Sequence, residues 1–106
     1  SSIKHWHSAE DEMIYVLGGE VTLIEGDTET ILHPGEAATF KAGNPVGHCL
    51  HNRTDRPTRY IVVGTRAPID TITYPDHDRV CNYDQAMPEP IWTDTAGNPA
   101  TSPYRD

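Results

Sequence analysis

No window of this chain carries a sustained helical period, and that excludes more folds than any other feature of the sequence. Short apolar and β-branched runs recur instead, each closed by turn chemistry: Glu12 to Leu17, Glu20 to Glu25, Thr28 to Leu32, Ala37 to Lys41, His48 to Asn52 and Arg59 to Thr65. Gly18-Gly19 reads as a hairpin turn and Gly26-Asp27 as a second reversal. His33-Pro34-Gly35 stops the next ladder, and the glycine- and proline-bearing loop Ala42 to Gly47 leads into His48. Strands at a spacing of roughly eight to twelve residues predict an all-β sandwich or barrel. Arg59 to Thr65 is the strongest strand candidate.

Chemistry concentrates at the front of the chain, in His5-Trp6-His7-Ser8-Ala9-Glu10-Asp11-Glu12. If Ile3 to His7 is a strand, its period of two turns His5 and His7 to one face and Trp6 to the other. Glu12 opens the run Met13 to Leu17 and so stands at a strand mouth, within reach of those imidazoles. His48 supplies a third nitrogen from far along the chain. Three imidazoles and a carboxylate suit a borderline first-row divalent ion. Glu10 and Asp11 compete with Glu12 for the carboxylate role, and at the turn tip they read as exposed charges. His33 and His77 read as solvated. His51 differs in parity from His48 and points outward.

With 106 residues and 36% of them hydrophobic, the chain has material for one modest core. Sixteen acidic residues against eight basic, for a formal charge of -8, argue against nucleic acid, whose phosphates require clustered Lys or Arg. Arg53, Arg56, Arg59 and Arg66 come nearest to such a cluster and read as solvated edge and turn charges. No stretch approaches the roughly 18 apolar residues of a membrane span, and the start shows no signal-peptide pattern, so a cytoplasmic protein is expected. Cys49 and Cys81 have no metal or redox spacing and are expected to be free thiols, with Cys49 facing away from the ligands.

The pattern His5-x-His7-x4-Glu12-x6-Gly19 resembles the first motif of the cupin superfamily, and Gly35 through Asn52 resembles the second, with His48 and Asn52 matching its end. The resemblance spans roughly residues 1 to 66 and is greatest to small single-domain bacterial cupins. Lys41 stands where the family usually has proline, and His48 follows Gly43 two residues later than usual. The family's opening glycine and first strands lie ahead of where this chain begins, so a shortened chain is expected. The resemblance implies a double-stranded β-helix, or jelly-roll barrel, usually dimeric or larger. It also implies one divalent metal ion (Fe, Mn, Zn or Ni) held by His5, His7, Glu12 and His48.

Domain organisation is expected as a barrel over residues 1–74 and an irregular, proline-rich extension over 75–106 that packs on the barrel or on a neighbouring subunit. Six of the nine prolines fall from Pro68 onward. By alternation, Ile14, Val16, Val46 and Leu50 line the site, with Val62 in the same apolar interior. Tyr15 and Tyr60 are candidate proton donors that read more simply as packing residues, and no catalytic residue is assigned. Trp6, Met13 and Tyr15 are contact candidates for a homodimer or larger assembly. The expected ligand is a small molecule, with no nucleic acid or membrane partner. Two functions stay open: a metal-dependent oxygenase, isomerase or lyase acting on a small carboxylate or sugar-like molecule, or a non-enzymatic module that binds or senses a small ligand.

Overall fold

The computed structural model describes residues 2–104; Ser1, Arg105 and Asp106, which fall within the two expected segments, lie outside the described residues. Ten strands follow one another: β1 (Trp6–His7), β2 (Glu12–Gly18), β3 (Val21–Glu25), β4 (Thr28–Leu32), β5 (Ala37–Phe40), β6 (His48–His51), β7 (Arg59–Gly64), β8 (Ile69–Tyr74), β9 (Arg79–Asp84) and β10 (Ile91–Thr93). The only helical element among the described residues is a 3-10 turn, Pro75–His77, and none is long and apolar enough to cross a membrane. The architecture is the all-β jelly roll expected from the turn-punctuated strands.

Three antiparallel sheets build it, in the orders β5-β2-β7, β4-β3-β6 and β1-β8-β9-β10. Period-two alternation in β2 sends Ile14 and Val16 inward, where they meet Val21 and Leu23 of β3, Leu32 of β4 and Leu50 of β6. Phe40 and Ala38 pack against this cluster from the side. Gly26-Asp27 makes a two-residue reversal, because Glu25 pairs with Thr28 across it, and Gly26 takes the positive φ of 55° that the turn needs.

The expected hairpin at Gly18-Gly19 does not form. β2 pairs only with β5 and β7, whereas β3 pairs with β4 and β6, so the chain crosses from one sheet to another at these glycines. Gly19 is required there for a different reason: at φ +72°, a Cβ on it would stand 2.5 Å from the Pro57 carbonyl oxygen. Val62 is also not interior. It is 54% exposed, because β7 is an edge strand of its sheet and its apolar residues run along the rim. The extension expected to be irregular carries β9 and β10, which continue the sheet begun by β1 and β8.

Two glycines at positive φ separate backbone preference from steric approach. Gly19→Ala should cost more than about 3 kcal/mol, since the left-handed penalty adds to a clash with backbone. Gly35→Ala, at φ +88° with open space around it, should cost roughly 1–2 kcal/mol. Urea unfolding followed by circular dichroism measures both, and equal losses would refute the close-approach account.

Candidate metal centre

The site begins as a backbone pairing. His5 and His48 are direct partners in an antiparallel bridge, with His5 N donating to His48 O at 3.1 Å and His48 N to His5 O at 2.9 Å. Their rings therefore stand side by side, 4.8 Å between centroids. The same-face relation of His5 and His7 holds even though the regular strand is only Trp6–His7; their rings lie 5.2 Å apart, edge to face. Glu12, at the start of β2, comes from another sheet. Its Oε1 lies 3.1 Å from His7 Nε2, 3.3 Å from His48 Nε2 and 3.8 Å from His5 Nε2.

Glu12 Oε1 is buried and, among the described residues, is the one buried side-chain polar atom lacking a partner in hydrogen-bond geometry. An acceptor in that state is costly unless something else satisfies it. Donors bound about 2.1 Å from one ion and about 90–109° apart stand roughly 3.0–3.4 Å from each other. Two of the three nitrogen–oxygen separations fall in that range, and the third exceeds it by a few tenths of an ångström. His5, Glu12 and His48 bring ligand atoms within 4.8 Å of one another and so fit a divalent ion, whereas His7, the fourth expected ligand, groups with Glu10 and Asp70 and reaches the first three through Glu12 Oε1.

Each ring is held by a different device. His5 Nδ1 meets the Ile3 carbonyl at 2.7 Å, a contact within its own segment. His48 stacks flat on Phe40, with centroids 3.7 Å apart and 4° between planes. His7 Nδ1 meets Asp70 Oδ2 at 2.6 Å. The Asp70 carboxylate, 5% exposed on β8, also accepts from the Ala9 amide and the Ser8 hydroxyl. Asp70 was missing from the sequence-derived ligand environment. The available signal was an acidic residue sharing strand parity with Ile72 and Tyr74.

Glu10 is a second correction. It is not an exposed turn charge but half-buried, with Oε1 accepting from the Arg66 amide at 2.8 Å and Oε2 4.0 Å from His7 Nδ1. Gly64 makes room for it, since a Cβ there would meet the Glu10 carboxyl at 2.9 Å. Arg66 itself adopts φ 59°, uncommon for a residue with a side chain. Asp11 is exposed, as expected, and its carboxylate caps the Ala42 amide.

Two clefts adjoin the ligands. The narrow one, of about 20 Å³, is bounded by Trp6, Thr39, Phe40, Asn44 and Val46 and has room for little beyond a water-sized group. Trp6 is thus half-buried beside His7 instead of facing away from the imidazoles as an outward contact. The wide cleft, about 510 Å³, runs from His7 and Glu12 past Glu10 and Asp70 to Val62, Arg66, Tyr83 and Gln85. Its volume suits a small organic ligand. Tyr15 and Tyr60 line neither cleft, and Tyr83 is the phenol that does. Of the apolar residues expected to line the site, Ile14, Val16 and Leu50 are buried in the core and line neither cleft, Val46 lines the narrow one, and the wide cleft mixes charged and polar side chains with Val62, Ala67 and Ile72.

The remaining singled-out residues lie off the site. His33 is exposed between Glu20 and Glu36, His77 is exposed, and Arg53 pairs with Glu29 at 2.6 Å. Cys49 and Cys81 are buried free thiols, and burial pushes both up from the usual thiol range.

Residues 1–64 match the family described as Cupin domain. No curated protein matches the chain. Among solved structures it is similar to a sugar phosphate isomerase from a cupin superfamily, from Silicibacter pomeroyi, at 38% identity and a TM-score of 0.88, over 96% of this chain and 64% of that one. It is also similar to a protein named as a candidate sugar phosphate isomerase from Acidithiobacillus ferrooxidans, at 24% identity and a TM-score of 0.81, over 93% of this chain and 62% of that one. The second likeness concerns the fold alone. The chain spans less than two thirds of the length of either.

Proton binding in the metal-free site has a defined sign. Burial works against charging His7, but the Glu12 and Asp70 carboxylates beside its two ring nitrogens outweigh it and raise its pKa to about 9. The three rings, His48 foremost, hold the Glu12 carboxyl far below the usual range despite burial. A raised folded-state pKa stabilises fully below the unfolded value, about 6.5, and that stability is lost as pH climbs through about 9. Lowered carboxyl values act oppositely, and their contribution is lost in acid. Chelator-treated protein should therefore lose urea resistance between about pH 6.5 and 9, a decline that His7→Gln removes. An alkaline slope unchanged in His7→Gln would refute the assignment.

Proposed function

This chain belongs to the Cupin domain family, and from that premise we propose that it is a divalent-metal-dependent isomerase of small phosphorylated sugars. The observation that carries the metal is Glu12 Oε1, buried and unsatisfied where the Nε2 atoms of His5, His7 and His48 converge. The substrate class draws on the 38%-identical neighbour's description and on a cleft of matching size that opens from those ligands. Among Fe, Mn, Zn and Ni the donor set is compatible with all four. A bound ion would supply Lewis-acid polarisation of substrate oxygens.

The chain's own residues divide the remaining work. Isomerisation moves a proton between neighbouring carbons, which calls for a carboxylate or imidazole beside the bound sugar. Glu10 lines the wide cleft with its Oε1 anchored on the Arg66 amide and its Oε2 4.0 Å from His7 Nδ1. Arg66, Tyr83 and Gln85 line the cleft together with the ligands, and Arg66 brings a guanidinium to it. A guanidinium is the natural partner of a phosphate there.

Assembly is proposed on separate grounds. Met13 and Tyr15 pair across the sheet with Val63 and Ile61, so four exposed apolar side chains form one outer patch. Such a patch is a contact surface, and a homodimer or larger assembly through it is the proposed state.

Metal analysis of the purified protein should find close to one divalent ion per chain, removable by chelator. Its restoration should stabilise by about 2.7 kcal/mol at a hundredfold excess over the dissociation constant. His48→Ala should lose the ion while keeping a β-type far-ultraviolet spectrum. Loaded protein incubated with aldose and ketose phosphates in deuterated water should interconvert them and incorporate deuterium next to the carbonyl. Stabilisation by these compounds without turnover or exchange would instead support a non-enzymatic sensing module.

A further inference from the structure

We infer that Asp70 is the positioning residue of the metal centre, fixing His7 so that its Nε2, and not its Nδ1, is the donor presented to the ion. The inference rests on the metal-binding reading above. It concerns a residue outside the segment, 1–64, that matches the family.

An imidazole has two ring nitrogens, and which one carries the lone pair is decided by what the other touches. His7 Nδ1 lies 2.6 Å from Asp70 Oδ2, while His7 Nε2 lies 3.1 Å from Glu12 Oε1. The first separation is that of a short charge-assisted hydrogen bond. It is too short for an ion between the two atoms, because donors about 2.1 Å from one centre and at right angles stand about 3.0 Å apart. The group His7, Glu10 and Asp70, whose ligand atoms also cluster within 4.8 Å, therefore serves as the outer support of the ligand and not as a second metal site.

Asp70 is itself over-determined, as a positioning group must be. Its Oδ1 accepts from the Ala9 amide at 2.9 Å, from Ser8 Oγ at 3.1 Å and from the Thr71 amide at 2.9 Å, which leaves Oδ2 to His7. The backbone reinforces the pair. His7 is the register partner of Ile72, and the Ser8 amide donates to the Thr71 carbonyl at 2.9 Å, so β1 cannot shift along β8 without breaking both ladders. His5 receives the same service from a local carbonyl and His48 from a stacked ring. Only His7 depends on a side chain more than sixty residues away, with a separation of 63. The C-terminal sheet is thereby part of the metal centre.

The test uses zinc and cobalt(II) as probes on the full chain. In the zinc-loaded parent, nitrogen NMR of the histidine rings should show His7 bound through Nε2, with a slowly exchanging proton on Nδ1; zinc on Nδ1 would overturn the inference. Asp70→Asn keeps an acceptor for Ala9 and Ser8 but loses the charge. It should weaken zinc binding by about 10- to 100-fold and abolish the protected Nδ1 proton, and in the cobalt form shift the ligand-field absorption, with the far-ultraviolet spectrum of the metal-free protein like the parent's. Parent-like zinc affinity and cobalt spectrum in Asp70→Asn would overturn the inference while leaving the metal centre intact. Failure of the parent to bind either ion would overturn the metal reading itself. Because the NMR measurement needs only the parent, the inference stays falsifiable even if a variant misfolds.

Discussion

The site depends on one antiparallel bridge, the reciprocal hydrogen bonds between His5 and His48. It joins the sheet that contains β1 to the sheet that contains β6, and it sets two imidazoles beside each other by backbone geometry alone. Glu12 then enters from the third sheet, at the mouth of β2, so one carboxylate oxygen faces nitrogens delivered by the other two. Placing the ligands at such a seam has a thermodynamic consequence. An ion bound there ties elements that are far apart in the chain, and part of its binding free energy becomes folding free energy. The core of Ile14, Val16, Val21, Leu23, Leu32 and Leu50 lies between two of the sheets and contains none of the ligands.

What the sequence made legible was whatever obeys a short period. Strand positions, the same-face pairing of His5 with His7 and the inward parity of Ile14 and Val16 all follow from alternation over a few residues. Gly18-Gly19 misled because turn chemistry reports a local backbone need and not its cause; here the cause is the Pro57 carbonyl pressed against Gly19. Val62 misled because alternation separates two faces of a strand but cannot say whether the strand lies at a sheet edge. For Asp70, alternation with Ile72 and Tyr74 gives the face it shares but not what it meets there. Its partner is 63 residues away, and no period connects them.

The proline-rich end of the chain shows the same limit from the other side. Pro68, Pro75, Pro88, Pro90, Pro99 and Pro103 all lie outside β8, β9 and β10, so a composition that reads as irregular accommodates a regular sheet. That sheet encloses the site from behind. Tyr74, buried on β8, stands 5.7 Å from the His5 ring and is backed by Trp92 and Tyr104, with its hydroxyl 3.2 Å from that of Tyr104. Burial first, and then this contact, drives the Tyr74 phenol far above its usual range, so it stays neutral and serves as a wall.

Which side a ligand approaches from follows from how those walls are distributed. Tyr74 lies behind His5, and Phe40 covers the face of His48, which leaves the narrow cleft beyond them almost filled. Toward β7 the walls are thinner. An edge strand, a glycine at position 64 and the left-handed turn at Arg66 leave open the volume into which Glu12, Glu10 and His7 face. The carboxylates concentrated there repel an anion on their own. A cation held by the ligands, as proposed, would join the guanidinium of Arg66 in reversing this, and so would couple an anionic substrate electrostatically to the metal. Such a ligand would gain most from the loaded centre, and the same coupling would make its affinity a reporter of metal occupancy.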